Sequence, residues 1–396
     1  MSSRLRILFL FNHDAAHQAA HIAGIAGQMA LDYPGVTVIC ATGSPAIATI
    51  ARRSMSPEAG TAVRWHDLSL PALLDRLLAP LNRLFPARRL ARLRTNDALF
   101  SSVEMIVSTE RTCLSVRRRL RRRNGISAPR FAYVPHGSGD RNVSIHPSLE
   151  QFDLFLLSGQ KVVDQMVDNG ICGAEACRII GYPKFDTVDR DAKLRYFAND
   201  RPVFLYNPHF DPHLSSWYDE GVAILNWFAA RADDYNLIFA PHVMLFRKRL
   251  HISPEYRIAR LRPDIPAAIR DAPNILVDID SPRLFDMSYT LGADVYIGDM
   301  SSQVYEFLVR PRACFFIDVH SEPTDADGPP YEFWRNGPVV RGAEDLFPLI
   351  DGWRDVAARY QPEQARLTAY TIGDDPQRTA SQRGAAALAE ALGIRG

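Results

Sequence analysis

The chain has 396 residues, 47% of them hydrophobic and 23% charged, with a formal net charge of +1. This composition is globular and long enough for two ordinary domains, which excludes a disordered or fibrous chain. The near-neutral balance argues against a general nucleic-acid binder. The five cysteines lie mostly in apolar segments and read as reduced core thiols, and no apolar run is long enough to span a bilayer.

In chain order, the apolar run 7–11 is too short for a signal peptide and reads as part of a first strand, 7–12, so the expected setting is the cytoplasm. A helix over about 16–32, a strand at 36–41 and a helix opened by Gly43-Ser44-Pro45 follow, which is the βαβ rhythm of a parallel sheet. His13, His17 and His21 recur every four residues, yet the outer two would lie about 12 Å apart along one helix. That spacing is poor for a shared metal ion, and neither metal nor other cofactor is expected. The stretch 68–99 interleaves leucines with Arg83, Arg88, Arg89, Arg92 and Arg94 and reads as a basic amphipathic surface. A second run, Arg117, Arg118, Arg119, Arg121, Arg122 and Arg123, adds to it; both runs suit solvated faces, an anionic membrane or a polyanionic acceptor.

Further strands are predicted at 103–108, 130–134, 152–157 and 178–180, and the polar stretch 187–201 marks a boundary. A second alternating series follows: strands at 203–206, 236–240, 274–277, 294–297 and 313–317, with helices over about 215–230, near 282–291 and from Ser301. The expected organisation is an N-terminal domain over 1–190, a second over 200–375, and a tail 376–396 whose alanine-rich helix packs back on the first. Both domains read as doubly wound Rossmann-like α/β units, a GT-B-like plan in which they face a central cleft.

Polar residues recur just after predicted strands, at Pro135-His136-Gly137, Gly181-Tyr182-Pro183-Lys184-Phe185-Asp186, Asn207-Pro208-His209, Pro241-His242 and Asp299-Met300-Ser301-Ser302. Ligands of open α/β sheets bind outside the carboxyl ends of the strands, so these signals point to a shared site. At the last of them, a helix starting at Ser301 would aim its first N–H groups at an anion, the alternative being that Asp299 or Ser301 is only a cap.

Taken together in this order, the His-Gly, Gly-x-Pro-x-x-Asp, Pro-His and Asp-x-Ser-Ser motifs resemble the CDP-glycerol glycerophosphotransferase family, over about residues 130–320. Here the His-Gly continues with Ser138-Gly139-Asp140-Arg141, where the family has Thr-Pro and a lysine. The resemblance implies a GT-B transferase that moves glycerol phosphate, or a related activated group, from a CDP-linked donor to a hydroxyl of a polymer or lipid-linked acceptor at the membrane. In that chemistry His136 is the candidate base and His242 the phosphate or leaving-group partner. Asp299, Ser301, Ser302, Glu306, His209 and Arg141 are candidates for the donor nucleotide and its phosphates, with His213 and Asp211 near them. His13 and Gly137 are candidates on the acceptor side. A nucleotide-sugar glycosyltransferase, an enzyme like UDP-GlcNAc 2-epimerase, and a non-catalytic nucleotide or glycan sensor are the alternatives.

Overall fold

The computed structural model describes residues 4–13, 16–83, 85–124, 128–135, 146–301, 303–320 and 331–394. They form two compact units, 1–188 with 369–396, and 189–368.

The first unit is built on the strands β1 (Arg6–Phe11), β2 (Thr37–Thr42), β3 (Arg64–Asp67), β4 (Met105–Ser108), β5 (Arg130–Tyr133), β6 (Leu154–Leu157) and β7 (Cys177–Ile179). They pair in the order β3-β2-β1-β4-β5-β6-β7, every pair parallel. The residues of β1 alternate between two cores: Ile7, Phe9 and Phe11 enter one, Leu8 and Leu10 the other. A strand covered on both faces must be apolar throughout, which is why β1 reads as a continuous hydrophobic run.

The second unit repeats the plan. Its strands are β8 (Val203–Asn207), β9 (Asn236–Phe239), β10 (Leu250–Ser253), β11 (Ile258–Leu261), β12 (Ile275–Val277), β13 (Val295–Gly298), β14 (Ala313–Ile317) and β15 (Val339–Val340). Six of them form the parallel sheet β12-β9-β8-β13-β14-β15, while β10 and β11 make a separate antiparallel hairpin. Each large sheet therefore reverses direction once, between β1 and β4 in one and between β8 and β13 in the other. Loops part at such a switch point and leave a crevice at the carboxyl edge.

The C-terminal helix Ala380–Ala391 packs on the helix Ala20–Asp32, burying Ala385, Leu388 and Ala389 in the first core. Its start is doubly capped. Thr379 forms a capping box with Gln382, and the Asp186 carboxylate accepts from the N–H groups of Ala380 (3.2 Å) and Ser381 (2.7 Å). Asp186, the end of the Gly181 motif, is thus engaged in fastening a helix rather than offered to a ligand.

The arginine runs also differ from a solvated basic face. Arg88 pairs with Asp75, Arg89 with Glu110, Arg117 with Asp153 and Arg119 with Asp97. These guanidiniums tie neighbouring helices and loops together; of the described residues in the two runs, Arg94, Arg118, Arg121 and Arg122 are exposed. The amphipathic reading of 68–99 finds its counterpart in the helix Ala72–Leu78, which has no buried residue and leaves Leu73 and Leu77 73% and 63% exposed. No described helix is long and apolar enough to cross a membrane.

Two predicted helices are broken. The 215–230 segment becomes a 3-10 turn, Ser216–Tyr218, and the helix Gly221–Ala229. The 282–291 segment splits where Met287 takes a left-handed φ of 70°, giving Pro282–Leu284 and Ser288–Gly292.

Gly159 precedes the helix Gln160–Asp168 where residues 370–371 pass close by, and a Cβ there would meet the carbonyl carbon and oxygen of Thr371 at 2.4 Å. Backbone cannot swing aside as a side chain does. Gly159→Ala should therefore cost about 2 kcal/mol or more in urea melts. Gly60→Ala, with nothing within 4 Å of its Cβ in the helix Pro57–Ala62, should gain about 0.5–1 kcal/mol.

Candidate functional site

Four strand ends of the second unit carry polar loops side by side. β8 runs into Pro208-His209-Phe210-Asp211, β9 into Ala240-Pro241-His242, β13 into Asp299-Met300-Ser301 and β14 into Asp318-Val319-His320.

Asp299 joins two of these loops. Its Oδ1 accepts from the backbone N–H groups of His209 (2.8 Å) and Met300 (2.6 Å), and its Oδ2 from the N–H (2.7 Å) and hydroxyl (2.8 Å) of Ser216. Tyr206 and Ser216 share a further hydroxyl bond of 2.9 Å beneath it. With both oxygens engaged and 1% exposure, the carboxylate is a clasp and presents no face to a phosphate. Its expected place among the donor-phosphate ligands is corrected accordingly: a carboxylate repels the anion, and this one is already satisfied. Burial raises its pKa from the ordinary 3.8 to about 6 despite those donors. Pulling Ser216 onto Asp299 also accounts for the 3-10 turn that replaces the first part of the predicted helix.

His209 and His242 sit beside one another, ring centroids 5.4 Å apart, with Phe210 packed on both at 4.5 and 4.7 Å. The Nδ1 of His209 accepts from Asp211 N–H at 3.1 Å, and the Nδ1 of His242 accepts from Met244 N–H at 3.2 Å. An imidazole whose Nδ1 accepts carries its proton on Nε2. Both rings are therefore set as neutral Nε2–H donors, the form that can donate a hydrogen bond to an anion.

The helix expected from Ser301 begins at Gln303 and ends at Phe307. Ser301 is buried, and its hydroxyl and carbonyl accept from Gln303 N–H (3.4 Å) and Val304 N–H (3.3 Å). The anticipated anion seat on a helix dipole is accordingly weakened: the helix is short and two of its first N–H groups are taken by Ser301 itself.

Two small, open clefts lie beside this junction. One is lined by Asn207, Arg283, Tyr289, Gln303 and Glu306 among others, so Glu306 from one turn beyond Ser301 enters it with a guanidinium and two amides around it. Asn207 is fixed there by donating to Ala240 O (2.6 Å) and accepting from the Tyr296 hydroxyl (3.2 Å). The other pocket is lined by His213, Met300, Asp318, His320, Tyr331 and Trp334. His213 stacks on His320 at 4.1 Å and on Tyr256 at 3.8 Å, and Trp334 donates to Asp299 O at 2.9 Å.

The structure thus brings His209, His242, Asp299, Ser301 and Glu306 to one edge. His136, Gly137, Arg141 and Ser302 lie outside the described residues. His13 lies in the first unit, buried at the carboxyl end of β1 and edge-on to Phe11. Sequence reasoning missed His320, Tyr256 and Trp334. His320 was within reach, since it follows the predicted strand 313–317 as His242 follows 236–240; Tyr256 and Trp334 arrive from loops without periodicity.

No protein-family model matches the chain, and no curated protein matches it in sequence. Its fold is similar to that of the wall teichoic acid polymerase TagF, as a histidine-to-asparagine variant soaked with CDPG: TM-score 0.60, 14% identity, covering 98% of this chain and 89% of that one. A co-structure of S. aureus MnaA with UDP is similar at TM-score 0.58 and 11% identity, covering 99% and 97%. A putative UDP-N-acetylglucosamine 2-epimerase from Listeria monocytogenes gives TM-score 0.61 and 10% identity, also covering 99% and 97%. The chain therefore has the α/β, GT-B-like fold, with parallel sheets of seven and six strands among the described residues.

Asparagine at position 299 would turn an amide toward donors that need an acceptor, so Asp299→Asn should cost about 2–3 kcal/mol in urea melts. Because the folded-state pKa lies above the unfolded one, this carboxyl's contribution is greatest below 3.8 and is lost as pH rises through about 6. The variant should lack that fall.

Proposed function

We propose that the protein is a nucleotide-dependent transferase that moves glycerol phosphate, or a related activated group, from a CDP-linked donor to a hydroxyl of a cell-surface polymer or glycolipid precursor. The observation that carries this reading is the switch-point edge of the second sheet, where paired Nε2–H imidazoles lie with two pockets around one buried clasp. The ordered motifs that resemble glycerophosphotransferases favour a cytidine donor, and the TagF variant with CDPG supports the same class.

In the reaction an acceptor hydroxyl attacks the β-phosphorus, the bond from that phosphorus to the bridging oxygen breaks, and CMP leaves with the bridging oxygen. His136 takes the hydroxyl proton. His242 and His209 donate hydrogen bonds to the pyrophosphate, stabilising charge that builds on the leaving group. Glu306, in its pocket with Asn207, accepts from ribose hydroxyls, and the His213–His320 stack offers an aromatic wall. Ser301 and Ser302 are assigned to the donor pyrophosphate, and Arg141 supplies a cation to the donor phosphates. His13 and Gly137 serve the acceptor. No metal or other cofactor is assigned a step. The setting is the inner face of the cell membrane, with Leu73, Leu77 and the exposed Arg118, Arg121 and Arg122 of the first unit toward anionic lipid.

The test is release of CMP from CDP-glycerol in the presence of a lipid-linked hydroxyl acceptor. His242→Ala should lower kcat by about a hundredfold, and His136→Ala should abolish turnover while donor binding persists. Glu306→Ala should raise the donor KM by about tenfold. Turnover of UDP-GlcNAc in place of CDP-glycerol would select the glycosyltransferase or epimerase reading, which the MnaA and Listeria neighbours favour. Nucleotide binding without turnover would select the sensor.

A further inference from the structure

The β10–β11 hairpin of the second unit is inside out. Its register sets Leu250 opposite Leu261 and Ile252 opposite Ala259, so these four share a face. That face is the outer one: Leu250, Ile252 and Leu261 are 50%, 64% and 72% exposed. The alternate residues point inward and, apart from the partly buried Ile258, are polar. His251 is buried with its Nε2 against the carbonyls of Leu245 (2.9 Å) and Lys248 (3.0 Å), Ser253 is buried, and Arg260 forks onto the Asp219 carboxylate at 2.7 and 2.6 Å. An antiparallel pair with one wet face normally does the opposite, with apolar side chains in and polar ones out. Anchoring the polar face so firmly holds the aliphatic face in water.

What covers that face is indicated by its rim. Residues 247–264 hold six basic side chains against two acidic ones, Glu255 and Asp264. Arg260 is taken by Asp219, while Arg262 and Arg249 meet Asp264. Arg247, Lys248, Arg249 and Arg257 are all exposed around the aliphatic patch. The occupant must therefore supply hydrocarbon and negative charge together. A second copy of the chain, docked about a two-fold axis, would set these cations against themselves. A soluble polyanion offers no hydrocarbon.

We propose that this hairpin is a membrane-docking element, laying Leu250, Ile252 and Leu261 into the boundary between headgroups and acyl chains of an anionic bilayer while the surrounding cations engage the headgroups. The inference stands apart from the nucleotide reading and concerns a surface on the second unit rather than Leu73 and Leu77 on the first. It also has a route to the site: the turn between β10 and β11 carries Tyr256, which stacks on His213, and the segment entering β10 begins at His242. Docking would order the loops that frame both.

The test is flotation with phosphatidylcholine vesicles, neutral or containing about one-third phosphatidylglycerol, at low and high salt. The native protein should float with the anionic vesicles only, and less at high salt. A Leu250→Asp/Leu261→Asp variant should bind them at least about tenfold more weakly, with thermal unfolding and CDP binding unaltered. Ile252→Ser, a milder change at an exposed position, should give a partial loss in the same direction. The proposal is overturned if the native protein does not float or floats equally with neutral vesicles. It is equally overturned if the double variant floats like the native protein, including when only Leu73→Asp/Leu77→Asp abolishes binding, or if the hairpin changes instead dissolve a dimer.

Discussion

The geometry of the candidate site hangs on the buried carboxylate of Asp299. It takes four donors, from His209, Met300 and Ser216, and so fixes the loop after β8 to the end of β13 across the point where the sheet order reverses. A parallel sheet leaves its loops free to diverge there, and without a clasp the crevice would have no defined walls. With it, His209 is held next to His242, Ser216 starts the turn that carries Trp217 into the core, and Trp334 closes over the carbonyl of the same residue. Burial raises the pKa of this group. Desolvation therefore outweighs the four donors, and keeping the clasp ionised has a cost that the organised edge must offset.

Around the clasp, backbone hydrogen bonds decide the chemistry of the histidines. Asp211 N–H and Met244 N–H occupy the Nδ1 atoms of His209 and His242, so each ring keeps its proton on the other nitrogen. A base must first be unprotonated at the atom facing its substrate, and neither ring is set that way. The division of labour proposed here, with a base elsewhere and anion donors on the second unit, follows from this tautomer choice.

Much of the fold was legible because doubly covered parallel strands must be apolar along their whole length. The runs 7–12, 203–206 and 313–317 could hardly be anything else. β3, whose Arg64-Trp65-His66-Asp67 lies at the sheet edge, lacks that signature, as does the two-residue β15. β10 and β11, four residues each beside charged segments, are too short for their alternation to stand out. The site was legible in part. Histidines after strands pointed to the strand-end edge where His209 and His242 lie together, but sequence could not tell that Asp299 and Asp186 face inward as clasp and cap, nor that Ser301 would use the N–H groups expected for a phosphate. The arginine runs were legible only in part for a related reason: charge density along the chain is visible, whereas the carboxylates of Asp75, Asp97, Glu110 and Asp153 that pair with Arg88, Arg119, Arg89 and Arg117 come from elsewhere in the sequence.

The central claim is that a cytidine diphosphate group sits on the strand-end edge of the second sheet, and hydrogen–deuterium exchange with and without saturating CDP tests it most directly. The account predicts slowed exchange in residues 208–216, 240–246 and 299–308, with UDP giving less at equal concentration. CDP that binds without slowing exchange in those three segments, or that fails to bind, would contradict it.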